Sequence, residues 1–131
     1  MRLLADTNVL SELIRPRPDP GVLAWAAKVD RITISVVSIE EIAFGLSWKP
    51  ARKISDWTEN FIEQACDVLP ITAAIAQRSG ELRGQLRAKG ITRSSGDMLI
   101  AATAQVHGLT LVTRNVRDFD GLRIDVLNPF V

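Results

Sequence analysis

Cysteine and histidine are nearly absent, since the 131-residue sequence contains one of each. A zinc site built from these side chains needs about four ligands, so this class of metal site is excluded. Cys66 has no second cysteine to pair with, which also excludes an intrachain disulfide. The lack of disulfides favours a cytoplasmic protein, because thiols stay reduced there.

Long hydrophobic runs are also absent. No run approaches the roughly 18 apolar residues that a membrane-spanning helix requires, so no membrane association is expected. The beginning of the chain lacks the long apolar segment of a secretory signal peptide. Hydrophobic residues nevertheless make up 47% of the sequence, which is enough for a compact core. We therefore expect a single domain over residues 1–131.

A strong excess of one charge is missing as well, since the formal net charge is +1. The overall charge therefore argues neither for nor against a nucleic-acid partner. Between residues 78 and 93, however, the sequence has a single acid, Glu81, and a group of bases. These bases are Arg78, Arg83, Arg87, Lys89 and Arg93. Such a run most often lies on a solvated helix face, and a phosphate-binding surface is the alternative.

Short apolar and β-branched runs alternate with segments of helical periodicity. The predicted strands are Arg2–Ala5, Ile32–Val37, Asp67–Pro70, Leu109–Thr113 and one within Leu122–Leu127. The predicted helices are Thr7–Ile14, Pro20–Val29 after the cap Asp19, Ile39–Trp48 after the cap Ser38, Arg52–Ala65, Thr72–Lys89 and Ser94–His107. This alternation predicts an α/β fold in which right-handed crossovers place helices on both faces of a parallel sheet.

Acidic residues occur where the predicted strands reach one common edge of the sheet. Asp6 follows the first strand, and Glu40 and Glu41 lie in the first turn of the helix after the second. Asp97 begins the helix that runs back before the fourth strand, and Asp118 follows that strand. Ligands of open α/β sheets bind at the carboxyl ends of the strands. We therefore expect four acidic positions to converge at this edge.

Each acid also has a local explanation in helix capping. Asp6 is placed to cap the first helix, and Ser94-x-x-Asp97 matches a capping box. Asn115-x-x-Asp118 resembles another, and a glutamate early in a helix favours the positive end of the helix dipole. Taken singly, capping is the commoner role. The predicted convergence of all four acids at one edge of the sheet weakens that explanation, because helix caps need not lie close to one another.

Convergence of carboxylates has an energetic consequence. Two carboxylates about 4 Å apart repel by roughly 4 kcal/mol at an effective dielectric constant near 20. Protons or cations must offset that repulsion. A cluster rich in oxygen and poor in nitrogen suits Mg²⁺ or Mn²⁺. Such an ion activates water and stabilises charge on a phosphoryl oxygen.

Four segments carry these acids and together span nearly the whole chain. They are Leu4–Leu13, Ser35–Gly45, Asp97–Ala104 and Leu111–Phe119. In order and spacing they resemble the acidic motifs of PIN domains, in particular the VapC-type toxins of bacterial toxin–antitoxin pairs, including the FitB-like group.

The resemblance implies a metal-dependent endoribonuclease with a three-layer α/β/α PIN-like fold around a central parallel five-stranded sheet. It assigns catalysis and the binding of Mg²⁺, or of Mn²⁺ in its place, to Asp6, Glu41, Asp97 and Asp118. The supporting polar residues are Asn8, Thr113 and Asn115. The motif selects Glu41 over Glu40, because its acid precedes Ile42 and then Gly45; periodicity does not decide between them. Met98 stands where the family usually has a small residue.

The family also implies partners. RNA is the substrate, and Arg114 and Arg117 are candidates for binding its phosphates, with plain solvent exposure as the alternative. A VapB-type antitoxin is the protein partner, and a homodimer that assembles further with the antitoxin is expected. Phe44, Trp48 and Trp57 are candidates for an apolar groove that takes the antitoxin, although core packing is the commoner role of such residues.

Three other functions compete with the nuclease. A phosphatase of the HAD type needs a second acid at position 8 and another at position 101, where the sequence has Asn8 and Ala101. A triad hydrolase would depend on His107, which lies at a helix end. A module that binds RNA or antitoxin without cutting remains the non-enzymatic alternative. The sequence leaves open which RNA is cut, and where.

Overall fold

The computed structural model describes residues 2–131, in which six α-helices alternate with five β-strands. The strands are β1 (Leu3–Ala5), β2 (Ile32–Ser35), β3 (Cys66–Leu69), β4 (Thr110–Val112) and β5 (Val126–Leu127). The helices are α1 (Thr7–Ile14), α2 (Pro20–Ala27), α3 (Val36–Trp48), α4 (Arg52–Ala65), α5 (Ala73–Ala88) and α6 (Ser95–His107), and a short 3₁₀ helix covers Val116–Phe119. The predicted α/β class is confirmed.

All strand pairs in the described chain are parallel. β4 lies between β1 and β5, and β2 pairs with β3. β1 also packs beside β2, although the hydrogen-bond ladder does not continue between them within residues 2–131. The five predicted strands are thus present and parallel, while their hydrogen bonds divide them into sheets of three and two.

Helices cover both faces of these strands, because successive strand side chains point to opposite sides. Leu4 and Leu111 are fully buried on one side, against side chains of α5 and α6. Ala5 and Val112, the next residues along, are buried on the other side with α1 to α4. The predicted three-layer arrangement is confirmed. No helix in the described part of the chain is both long and apolar enough to cross a membrane.

The register of β1 against β4 sets the position of the candidate site. Ala5 is paired with Val112, and the backbone N–H of Asp6 donates to the carbonyl of Val112 at 2.8 Å. Parallel strands in this register end together. Asp6 and Thr113, the residues directly after them, therefore leave the sheet side by side.

The boundary between β2 and α3 differs from the prediction. The strand ends at Ser35 rather than Val37, because the Ser35 hydroxyl accepts a hydrogen bond from the Val37 N–H and caps α3. Ser38, the predicted cap, is buried within the helix. Capping at Ser35 thus outweighs the strand preference of two β-branched residues.

The other boundaries shift by one or two residues, and β5 lies within the predicted segment Leu122–Leu127. β3 begins at Cys66, one residue earlier than predicted, and β5 is confined to Val126–Leu127. Asp19 caps α2 ahead of Pro20, as predicted, by accepting from two backbone N–H groups. Gly108 ends α6 with a φ of 64°, a conformation that favours glycine.

Candidate metal centre

Asp6 lies at the end of β1 and is only 4% exposed. One carboxylate oxygen, Oδ1, accepts from the Thr7 N–H at 2.8 Å, so Asp6 caps α1 as the local explanation predicted. The other oxygen, Oδ2, accepts from the Thr113 hydroxyl at 2.8 Å and from the Asn8 amide at 3.3 Å. Helix capping therefore explains the contact of Oδ1 only. The contact of Oδ2 with Thr113 joins two distant parts of the chain.

Burial raises the pKa of Asp6 to about 6, against the opposing effect of the hydrogen bonds from Thr113 and Thr7. The negative charges of Asp97 and Glu41 raise this pKa further. Two of the other acids selected from the sequence thus lie within electrostatic reach of Asp6. A nearby cation would offset both the desolvation and the repulsion.

Asn8 and Thr113 hold this carboxylate in place. The Asn8 amide also donates to the Thr113 hydroxyl at 3.2 Å, and its carbonyl accepts from the Arg114 N–H at 3.2 Å. The Asn115 N–H donates to the Thr113 hydroxyl at 3.1 Å. Two of the three supporting residues thus contribute side chains, while Asn115 contributes its backbone.

Glu41 is exposed on α3 but is fixed by α1. The Thr7 hydroxyl donates to Glu41 Oε1 at 2.6 Å and lies 2.8 Å from the Ser38 hydroxyl, which then donates to it. Gly96 brings the start of α6 close, since a Cβ there would lie 3.2 Å from Glu41 Oε2. Within the described residues the Glu40 side chain makes no hydrogen bond or ion pair. The geometry thus separates the two glutamates, which periodicity did not.

Thr7 and Ser38 were missed as site residues in the sequence. Thr7 follows Asp6 directly, and Ser38 lies one turn before Glu41 on the same helix, so their positions were a usable signal. Their hydroxyl chemistry is common in helix caps, however, and Ser38 was assigned to that role. Only the packing of α1 against α3 brings them together.

Asp97 lies in the first turn of α6, where its N–H donates to the Ser94 hydroxyl at 3.1 Å. The predicted cap at Ser94 is therefore present. Burial raises the pKa of Asp97, as does the charge of Asp118, while Ser94 and Arg93 oppose the change. Asp118 is thus within electrostatic reach of Asp97. Met98, in place of a small residue, is fully buried in the core and displaces no acid.

Asp118 lies in the 3₁₀ helix that follows β4. The capping box suggested for Asn115 and Asp118 is wrong, since no side chain caps this helix. Arg93 reaches over from the loop before α6, and its Nε donates to the backbone carbonyl of Asp118 at 3.1 Å. One member of the basic run therefore stabilises the site. The side chains of three other members, Arg83, Arg87 and Lys89, are exposed to solvent.

The four acids form a chain of neighbours rather than a closed cage. Among residues 2–131, no three acidic, cysteine or histidine side chains lie close enough together to hold a metal ion as they stand. The donor atoms are nonetheless all oxygens, and the central carboxylate is buried without a cationic partner among the described ion pairs. This donor chemistry fits a hard divalent cation such as Mg²⁺ or Mn²⁺.

His107 is excluded from the site by distance. It is the last residue of α6, whereas Asp97 lies in the first turn, which separates them by about 15 Å along the helix axis. The position at which a HAD-type phosphatase requires an acid is occupied by Ala101, whose side chain is fully buried in the core.

The three aromatic residues proposed for a groove are on the surface, contrary to the expected core packing. Phe44 is 63% exposed, Trp48 71% and Trp57 46%. The rings of Phe44 and Trp48 lie 6.1 Å apart, and Lys49 lies over the Trp48 ring. Trp57 stacks on Phe61 at 5.0 Å. These rings form two exposed apolar patches on α3 and α4.

The family model described as "PIN domain" matches residues 3–124. The chain belongs to the PIN domain family. It is 33% identical to "VapC ribonuclease Y4jK" of Sinorhizobium fredii, over 98% of this chain and 97% of that protein. It is 29% identical to "Toxin FitB" of Neisseria gonorrhoeae, over 98% of both chains. The resemblance stated for the four acidic segments is thereby confirmed.

A solved structure supports the same assignment. The chain is 29% identical to one in the "Toxin-antitoxin complex from Klebsiella pneumoniae", with a TM-score of 0.77 and 98% of both chains covered. The PIN fold extends over nearly all of the described chain.

Proposed function

We propose that this protein is a divalent-metal-dependent endoribonuclease and the toxin of a type II toxin–antitoxin pair, folded as one domain. The observation that carries the proposal is the Asp6 carboxylate, which is buried, has a raised pKa and is fixed from two sides at the switch point of the sheet. A relative spanning almost the whole chain is named a VapC ribonuclease, which supports RNA as the substrate.

Asp6 and Asp97 are the principal ligands of the metal, and Glu41 and Asp118 complete the site directly or through water. A divalent ion bound there supplies an activated water and stabilises charge on the phosphoryl oxygens. Mg²⁺ is the proposed ion, with Mn²⁺ as a functional substitute. The fit rests on an all-oxygen donor set and on two carboxylates, Asp6 and Asp97, whose pKa values are raised by burial and by neighbouring acids.

The residues around the acids orient them for hydrolysis. Thr113 and Asn8 hold Asp6 Oδ2, and Thr7 holds Glu41. Arg114 and Arg117 are both exposed beside the site and bind flanking phosphates. Hydrolysis breaks the P–O3′ bond, adds the oxygen of water to phosphorus and leaves a 5′ phosphate. This chemistry does not use the 2′-hydroxyl, so RNA selectivity comes from binding.

The protein partner is a VapB-type antitoxin. The solved toxin–antitoxin complex supports this, because one of its chains matches almost the whole of this one. The exposed rings of Phe44, Trp48 and Trp57 are the proposed contact surface, since an exposed apolar patch marks an interaction site. A homodimer and a larger assembly with the antitoxin complete the proposal.

Cleavage of RNA by the purified, antitoxin-free protein tests this function. Cellular RNA is incubated with the protein and Mg²⁺ or Mn²⁺, with and without EDTA, and the new 5′ ends are mapped. Cleavage that stops with EDTA and resumes with added metal is expected. Cleavage that persists in EDTA would contradict the metal mechanism. Tight RNA binding without cleavage under either ion would favour the non-cleaving module.

A further inference from the structure

The last strand delivers a short segment to the same edge as the acids. Val112 of β4 is paired with Leu127 of β5, and the Thr113 N–H donates to the Leu127 carbonyl at 2.9 Å. The two segments that follow these parallel strands therefore leave the sheet together. Arg114 and the segment 128–131 therefore lie next to each other beside the candidate metal centre.

Arg114 has a fixed backbone and an unpaired side chain. Its N–H donates to Asn8 Oδ1, and Asn8 in turn donates to Asp6. None of the ion pairs among residues 2–131 includes Arg114, although acids surround the site. Its guanidinium carbon instead lies over the ring of Phe130, 4.9 Å from the centroid. An aromatic face attracts the cation and leaves its N–H donors available to an anion.

The Phe130 ring is itself held firmly. It packs against the core on the α1–α4 side of the sheet. The backbone N–H of Phe130 donates to Asn128 Oδ1 at 3.0 Å, and the backbone N–H of Val131 donates to Asp19 Oδ1 at 3.2 Å. The same Asp19 oxygen caps α2, so the segment is tied to the start of that helix. The ring is therefore attached to the core and to α2, beside the exposed side chain of Arg114.

Gly21 makes this attachment possible. A Cβ at this position would lie 2.2 Å from the Pro129 carbonyl oxygen and 2.8 Å from the Val131 side chain. Any larger residue must displace the segment that carries Phe130. Gly21 lies in α2 and has no role among the acids, so it offers a remote way to move the ring.

We propose that Phe130 is a positioning residue that holds the guanidinium of Arg114 at the edge of the sheet where Asp6 lies, so that it binds a phosphate of the RNA backbone. The inference rests on the proposed ribonuclease function. Arginine binds phosphate through paired N–H donors, so its orientation determines how well it binds. The ring acts on substrate binding, whereas the acids act on the chemical step.

Kinetics with a short fluorescein-labelled RNA of mixed sequence in Mg²⁺ separate these two effects. Phe130→Leu, which keeps apolar bulk without a ring, raises KM by about two- to five-fold and leaves kcat unchanged. Phe130→Trp, which keeps an aromatic ring, has the same KM as the parent protein. Gly21→Ala raises KM in the same way, whereas Gly84→Ala is the matched control, because nothing lies within 4 Å of a Cβ at Gly84. Thermal midpoints identify any variant that fails to fold.

A double-mutant cycle with Arg114→Gln shows whether Phe130 acts through Arg114. RNA binding is measured by fluorescence anisotropy in EDTA, which needs no cleavage. Phe130→Leu is expected to have no further effect once Arg114 is glutamine, and Arg114→Gln lowers the slope of log affinity against log salt by about one. An undiminished effect of Phe130→Leu in the Arg114→Gln protein would overturn the proposal. So would an unchanged KM in Phe130→Leu. Failure of the parent protein to cleave RNA would contradict the ribonuclease function, while the anisotropy arms would still decide the role of Phe130.

Discussion

Thr7 and Glu41 are 34 positions apart and are joined by a 2.6 Å hydrogen bond between the threonine hydroxyl and the carboxylate. The bond connects the first turn of α1, next to Asp6, with the second acidic motif on α3. It fixes an otherwise exposed glutamate beside the start of α1, where Asp6 lies. Glu40, its neighbour in sequence, has no such contact in the described chain.

Replacement of Glu41 should therefore have a far larger effect than replacement of Glu40. Glu41→Gln is expected to lower kcat/KM for RNA by more than about 10-fold, since even a residue that acts on a metal through water or another ligand is worth about 10- to 100-fold. Glu40→Gln is the matched control, with a change in kcat/KM of less than about two-fold. Initial rates in Mg²⁺ measure both. Equal losses in the two variants would refute the assignment of Glu41.

Thr7→Val tests the positioning of Glu41 without altering any acid. The valine has nearly the same shape but donates no hydrogen bond, so kcat/KM should fall by about 10-fold. Thr7→Ser retains the donor and should keep most of the activity. The readout is the Mg²⁺ concentration at half-maximal rate, which should rise in Thr7→Val only. An identical metal dependence in both variants would contradict this role.

Asp97→Asn should abolish RNA cleavage and growth inhibition while the protein stays folded. Removal of a charge from a half-buried site that also feels Asp118 relieves repulsion, so the metal-free thermal midpoint should stay the same or rise. Mg²⁺ should raise the midpoint of the parent protein by several degrees and have little effect on the variant. Retained cleavage by Asp97→Asn would mean that the site is assigned wrongly.

The single cysteine should be unreactive in the folded protein. Burial raises the pKa of Cys66 from 9.0 to about 11, while the nearby charge of Arg31 opposes this rise. Because the folded pKa is the higher one, the contribution of the neutral thiol to stability is complete below pH 9.0 and is lost as the pH rises towards 11. Labelling with a thiol reagent at neutral pH should be slow in buffer and fast in urea. Cys66→Ser provides the blank, and fast labelling of the native protein would contradict the buried position.

Much of the fold was predictable because each element carries its own local signal. Asp19 followed by Pro20 marked the start of α2, and a glycine marked the end of α6. The boundary at Ser35 was missed because two β-branched residues favour a strand while the serine before them favours a cap. Competition of this kind is decided by packing around the whole element, which periodicity does not describe.

The candidate acids were predictable by position and motif, but their contacts were not. Asp6 fills the capping role that the sequence offered, since one oxygen caps α1, while the other accepts a hydrogen bond from Thr113 that no local pattern specified. The suggested cap of Asn115 with Asp118 did not form. Phe44 and Trp48 were expected in the core and are exposed, because hydrophobic character alone does not tell an interface from an interior.

The amino-acid sequence by itself determined the order of elements, the α/β class and the four acidic positions, because strand and helix signals are local and the motifs are contiguous. Only the tertiary structure decided which side chains meet. Parallel strands in register bring Thr113 to Asp6 and Phe130 to Arg114, and the packing of α1 on α3 brings Thr7 to Glu41. Such contacts join distant parts of the chain, so they depend on strand register and helix packing rather than on any local pattern.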